Sequence, residues 1–582
     1  MESALLPSFH QDGFTRAHLP PRDLWPVLSF DRPELAYPDI LNAAHPLLDA
    51  HVEQGRGERV AVHGEAGGVA YCWTYAYLRA CVDRIAQVLV KDCGLVSGNR
   101  LLLRGANSPL LAACALAGLK AGLVLVPTMP LLRSLELKHI LDKAQVQAAL
   151  CADTLREELD HCRNPAHPHY AAGLRAVLFF TPGPDPLAQP AAQAALPDAE
   201  RASQHPHNPP ACELSRAMRR ADGHFAALPT SQDDVCLIAF TSGTTGEPKG
   251  TMHFHRDVLA MCDLFPRHLL QMQASDVVCG TPPLAFTFGL GGLLCFPLRY
   301  GASSVLIERH TPETLLHTIA RYRATQCYTA PTFYRQMAGL ARQYNLASLR
   351  YPVSAGEALP DATRRLWEEA TGIVICDGIG GTELMHIYLA CAGPSVRAGC
   401  IGKAVPGYTV RLVDEQMRTL GPGEVGRLAV RGPTGCRYLD DARQRDYVIE
   451  GWNLPGDTFT MDEDGYFRYL ARNDDMIISS GYNIAGPEVE SALLLHPAVA
   501  ECGVVGLDDP ERGQIVCAFV VARPGQRVDA RLAEDIQTFV KARIAPYKYP
   551  RRVVFVDHLP RTETGKLQRF RLRQATPAPL AL

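Results

Sequence analysis

The sequence has no surplus of charge of either sign. Its 58 basic and 61 acidic residues leave a formal net charge of −3, too little to hold nucleic acid or an anionic membrane surface. There is no CxxC pair and no metal-site spacing of His and Cys, although the chain has 18 cysteines. These are scattered, and many (Cys236, Cys376, Cys517) lie in apolar runs, which reads as buried reduced thiols of a cytosolic enzyme. The start, Met1-Glu-Ser-Ala-Leu-Leu-Pro, lacks a basic stretch ahead of an apolar core, so no signal peptide is expected. Charge is missing from Val277 to Leu298, but Pro282, Pro283, Pro297 and several glycines argue against a membrane helix. That stretch is expected to be buried core and pocket lining. No internal repeat and no Walker A loop occurs: Glu247 and Pro248 separate Gly246 from Lys249, and Gly250 follows the lysine.

What is present is length and alternation. A chain of 582 residues is too long for one compact core, so two or more domains are expected. Strand-like runs at Val60–His63, Arg100–Arg104, Leu123–Pro127 and Ala148–Ala152 alternate with helical segments from Thr74 to Lys91 and from Pro109 to Ala121. This pattern predicts a parallel α/β sheet. It resumes after residue 300, and antiparallel β structure is predicted around 410–431. From about 475 a smaller α+β unit follows, with helices over Pro487–Leu495 and Ala530–Ile544. Residues 181–231, crowded with proline, read as a surface insertion or loop.

The chemistry begins at Phe240-Thr-Ser-Gly-Thr-Thr-Gly-Glu-Pro-Lys-Gly-Thr251. An apolar strand, Val235–Ala239, precedes it, and a helical segment is predicted from Met252. Glycines let backbone N–H groups approach phosphate, and hydroxyls and a lysine add donors and charge. The string resembles the phosphate loop of the adenylate-forming superfamily: acyl- and aryl-CoA synthetases, adenylation domains and luciferases. Further strings similar to that family's motifs follow in order.

By that resemblance Thr241, Ser242, Gly243, Thr244, Thr245, Gly246 and Lys249 would bind ATP phosphates, and Ala355, Gly356 and Glu357 would line the adenine. In Cys376-Asp-Gly-Ile-Gly-Gly-Thr-Glu383, Asp377 and Gly378 would add nucleotide contacts, Thr382 would bind the α-phosphate and Glu383 would supply a hard oxygen to Mg²⁺. Asp457 and Arg472 would hold the ribose, Asp474 would be the hinge and Gly481 would line the CoA channel. The family often has a basic residue two places after that glycine; here it is Asn483. Lys566, in Pro560-Arg-Thr-Glu-Thr-Gly-Lys566, would reach the carboxylate and the α-phosphate during adenylation.

Leu284-Ala-Phe-Thr-Phe-Gly-Leu-Gly291 and Gly381–Tyr388 look most like benzoate and 2-aminobenzoate CoA ligases, which would place Thr287, Phe288, Gly380, His386 and Ile387 around the acid. The fold implied is an α/β large N-terminal domain with a β-barrel-like subdomain (1–473) and a small α+β C-terminal lid domain (474–582). The activity implied is ATP-dependent aryl-CoA ligation through an acyl-adenylate, with Mg²⁺, ATP, CoA and a small aromatic acid, in the cytoplasm. Nucleic acid and membrane are not expected as partners, and the oligomeric state stays open. An enzyme loading an aryl acid onto a carrier protein, or a non-catalytic adenylate-binding protein, are the alternatives.

Overall fold

The computed structural model describes residues 5–187, 213–241, 248–472, 475–479, 482–509, 512–561 and 567–574. Arg100–Arg104, Val124–Thr128 and Ala148–Ala152 are buried along their whole length, as strands covered on both faces must be. They form a parallel sheet with Ala176–Phe180 on one side and Val235–Thr241 on the other, and Lys249–Phe254 adds an antiparallel edge. Arg104 can sit inside because its guanidinium donates to the carbonyls of Met129, Pro130 and Leu132 at 2.6–2.8 Å.

A second, nine-stranded sheet is built around the parallel strands Ser303–Leu306, Val277–Gly280, Gln326–Thr329, Tyr351–Ser354 and Cys376–Gly380. Helices begin where the sequence offers caps: Thr74 accepts from the Tyr77 N–H, and Ser108 accepts from Leu111 with Pro109 in the first turn. A six-stranded antiparallel sheet within residues 409–472 includes the antiparallel β structure predicted around 410–431. The small domain folds on a core of its own, in which Ile477, Ile484, Val489, Val516 and Ile536 pack together beneath the helices Gly486–Leu493 and Ala530–Lys541.

Two expectations need correction. The helix predicted from Met252 starts only at His255, because Lys249–Phe254 is a strand hydrogen-bonded to Val235–Thr241. The phosphate-loop string is therefore flanked by two paired antiparallel strands, and Lys249–Phe254 is not the start of a helix. The supposed insertion 181–231 also contains ordered core: helix Glu213–Arg220 buries Leu214, Ala217 and Met218, and Thr230 and Ser231 are fully buried. Proline density masked apolar spacing there; residues 188–212 lie outside the described part.

The uncharged stretch Val277–Leu298 is buried strand and short helical turns, and no helix among the described residues is long and apolar enough to cross a membrane. The cysteines among the described residues are free thiols, most of them buried.

Candidate active site

Thr241, Ala355 and Gly380 lie at or just past the C-terminal ends of parallel strands, where open α/β sheets bind ligands. Thr241 ends its strand directly opposite Lys249, so the hairpin delivers a hydroxyl and an ammonium to one place. Ser242, Gly243, Thr244, Thr245 and Gly246 lie outside the described residues. The Lys249 ammonium donates to the Tyr438 hydroxyl at 3.2 Å and lies 4.9 Å from the centre of its ring.

The strand Cys376–Gly380 pairs antiparallel with Ile387–Ala390. A Cβ on Gly378 would meet the Ile387 side chain at 2.9 Å, and one on Gly380 would lie 2.5 Å from the His386 carbonyl oxygen. Both glycines thus let the return strand close down. Between the strands, Thr382–Leu384 form one 3₁₀ turn. Met385 then adopts φ 71°, ψ −42°, and the His386 N–H donates to the Leu384 carbonyl at 2.9 Å. This is a γ-turn with positive φ, a conformation that costs a non-glycine residue about 1–3 kcal/mol. It separates Thr382 and Glu383 from His386 and Ile387 within a few residues.

Ahead of the turn the surroundings are polar. Glu383 Oε1 accepts from the Tyr438 hydroxyl at 2.7 Å, and Tyr438 stacks edge-on against Tyr447 at 5.7 Å. Asp377 is buried beneath the strand, and burial pushes its carboxyl up to about 7 although Arg364, 3.8 Å away, works against this.

After the turn the surroundings are aromatic. The ring centre of His386 lies 4.5 Å from Phe296, 5.7 Å from Phe288 and 5.8 Å from Phe265. Burial drives its imidazole down to about 3, only weakly opposed by the Phe288 carbonyl, so it is neutral at pH 7. Its Nε2 lies 3.4 Å from that carbonyl oxygen, and Nδ1 has no hydrogen-bond partner among the described residues. Thr287 and Ile387 are buried and Phe288 is packed edge-on against Tyr328 at 5.8 Å. The five predicted pocket residues therefore come from two segments that meet around one imidazole.

Asp457 and Arg472 face each other across the antiparallel sheet, with Arg472 Nη1 3.4 Å from Asp457 Oδ1. Gly356, at φ 90°, turns the chain after Ser354 so that Ala355 and Glu357 cap the sheet. Glu357 accepts from Thr332 and also from Arg561 of the small domain, each at 3.1 Å. Arg561 reaches Glu501 as well, at 3.0 Å, and so ties the two domains together beside the predicted adenine site. Asp474, Gly481 and Lys566 lie outside the described residues.

Among the described residues no three His, Cys, Asp or Glu side chains cluster as a metal cage. Glu383 nonetheless fits Mg²⁺, which is commonly held by one or two carboxylates together with substrate phosphates. Tyr438 takes one of its oxygens and leaves the other for such an ion.

Sequence reasoning missed Tyr438 and Arg561. Tyr438 sits in no recognisable motif and is 189 residues from Lys249. Arg561 was visible inside the Lys566 string, but nothing local announces its partner Glu357.

The AMP-binding enzyme family matches residues 48–437, and the AMP-binding enzyme C-terminal domain matches 488–566. The benzoate–CoA ligase of Thauera aromatica is 34% identical over 93% of this chain and 98% of its own length. The mitochondrial acyl-coenzyme A synthetase ACSM5 of Rattus norvegicus is 32% identical over 94% and 93%. Among solved structures, the anthranilate CoA ligase AuaEII in complex with anthranoyl-AMP superposes with a TM-score of 0.82 at 30% identity, covering 94% of this chain and 99% of that one. A benzoate CoA ligase from Burkholderia xenovorans LB400 gives 0.78 at 30%, covering 92% and 100%.

Proposed function

Since this chain belongs to the AMP-binding enzyme family, we propose that it is an AMP-forming acid–CoA ligase whose acid is a small aryl carboxylate, 2-aminobenzoate or benzoate. The observation that carries this reading is the turn at Met385, with a carboxylate and hydroxyls on one side and a dry aromatic box around a neutral histidine on the other. A flat acid seated against Phe288 and His386 would point its carboxylate toward Thr382 and the ATP α-phosphorus.

In the first half-reaction a carboxylate oxygen forms a bond to the α-phosphorus and pyrophosphate leaves. Lys249 and the loop amides draw the β- and γ-phosphates into line, Thr382 donates to the α-phosphate, and Asp457 with Arg472 holds the ribose. Mg²⁺, held by Glu383, would neutralise charge on the phosphate oxygens. Lys566 would bridge the carboxylate and the α-phosphate. In the second half-reaction the small domain would turn about Asp474, withdraw Lys566 and bring Gly481 to the CoA channel. The CoA sulfur then bonds to the acyl carbon and AMP leaves.

His386 supports an ortho-amino acid in particular. If Nε2–H donates toward the Phe288 carbonyl, Nδ1 is an unpaired acceptor, and the buried Thr287 hydroxyl supplies a second polar contact.

The test is CoA-dependent AMP formation from ATP with benzoate, 2-aminobenzoate, hydroxybenzoates, phenylacetate and acetate. Preference for 2-aminobenzoate or benzoate is expected. Pyrophosphate release without a thioester would point to a carrier-protein acceptor, and no turnover with any aryl acid would overturn the pocket assignment.

A further inference from the structure

Tyr438 belongs to none of the predicted motifs, yet its hydroxyl stands between the cation and the anion of the site. It accepts from Lys249 Nζ at 3.2 Å and donates to Glu383 Oε1 at 2.7 Å. The side chain is buried, with about 1% exposed. Its backbone is pinned on both sides. Thr251 bridges Tyr438, the Leu439 N–H donates to the Gly250 carbonyl at 2.8 Å and the Met252 N–H to the Arg437 carbonyl at 2.8 Å. On the other side the Tyr438 N–H donates to Gln444 Oε1 at 2.8 Å. The same strand that presents Lys249 therefore holds Tyr438 in place, and the phenol has little freedom to move away.

We propose that Tyr438 is a positioning residue for adenylation, which sets Glu383 for a phosphate-borne divalent cation and stations Lys249 until the triphosphate takes it. This rests on the acid–CoA ligase reading of the site. Without the hydroxyl, Lys249 and Glu383 can close into a direct ion pair, and incoming Mg·ATP must separate it before either group is available. With the hydroxyl in between, Lys249 is satisfied by one neutral hydrogen bond that the triphosphate replaces at little cost. One Glu383 oxygen stays committed to the phenol, which fixes the direction in which the other faces. Orientation of a ligating carboxylate by an outer hydrogen bond is worth about 10–100-fold in metal affinity or activity.

The test uses the full chain and its Tyr438→Phe variant, which keeps the ring under Lys249 and removes only the hydroxyl. ATP binding is measured by calorimetry with and without Mg²⁺, and acid-dependent ATP–pyrophosphate exchange is followed as a function of Mg²⁺ concentration. Expected for the variant is a loss of about 10-fold in the Mg²⁺-dependent gain in ATP affinity, with a matching rise in the Mg²⁺ needed for half-maximal exchange. The KM for the aryl acid and the melting temperature should stay at wild-type values. An unchanged Mg²⁺ dependence overturns the inference alone. So does an equal loss with and without Mg²⁺, or a fall in melting temperature that accounts for the loss, because each marks a merely structural tyrosine. If the wild-type chain shows no exchange with any acid, the ligase reading fails and the inference with it.

Discussion

Thr382–Glu383 and His386–Ile387 are neighbours in the chain and opposites in environment. Glu383 is half-exposed and hydrogen-bonded to a phenol that also meets a lysine. His386 is buried among three phenylalanine rings and kept neutral. The first environment can take on charge, since it offers donors and open access to water or phosphate. The second strips charge, since an imidazolium there would have no anionic partner and no solvent, only the Phe288 carbonyl. A reaction that joins an apolar aryl acid to a polyanionic nucleotide needs both, a few ångströms apart. The γ-turn at Met385 is how one strand-to-strand connection supplies them. The strain at Met385 is held by the hairpin on either side, where Gly378 and Gly380 let Ile387 and the His386 carbonyl approach.

Changes on the charged side should do most harm. Glu383→Gln keeps the shape and removes the charge; acid-dependent ATP–pyrophosphate exchange should fall about 10²–10³-fold, or ~3–4 kcal/mol, with the acid's KM nearly unchanged. A comparable rise in that KM would show that the two sides are not separate.

On the dry side the signature is in stability. His386 has a folded value of about 3 against an ordinary 6.5, so the folded state resists a proton that the unfolded chain accepts. Its contribution is complete above pH 6.5 and is lost as pH falls from there toward 3. Denaturant unfolding of His386→Phe and wild type between pH 6.5 and 5 should give a shallower acid loss for the variant, by up to about 1.4 kcal/mol per pH unit. Identical slopes would mean that the imidazole is not held neutral.

The smallest effect tests the polar edge of the pocket. Thr287→Ala should lower the 2-aminobenzoate to benzoate ratio of kcat/KM by about 5-fold, the worth of one hydrogen bond of ~1 kcal/mol. A ratio that does not move would leave Thr287 as packing.

Much of this was readable in the chain itself, because its physics is local. Buried parallel strands such as Ala148–Ala152 show as unbroken apolar runs, and Thr74 and Ser108 announce their helices as caps. The glycines and carboxylates of 376–383 and the Gly-Asp at 456–457 carry their chemistry in residue type and order. Other features are decided only by partners distant in sequence. Lys249–Phe254 is nearly all buried, so it shows no alternation that would mark a strand, and it becomes one because Val235–Thr241 offers it a ladder. Tyr438 reaches Lys249 across 189 residues and Glu383 across 55. No short window contains both ends of such a contact, and so its meaning exists only once the sheets have brought the three side chains together.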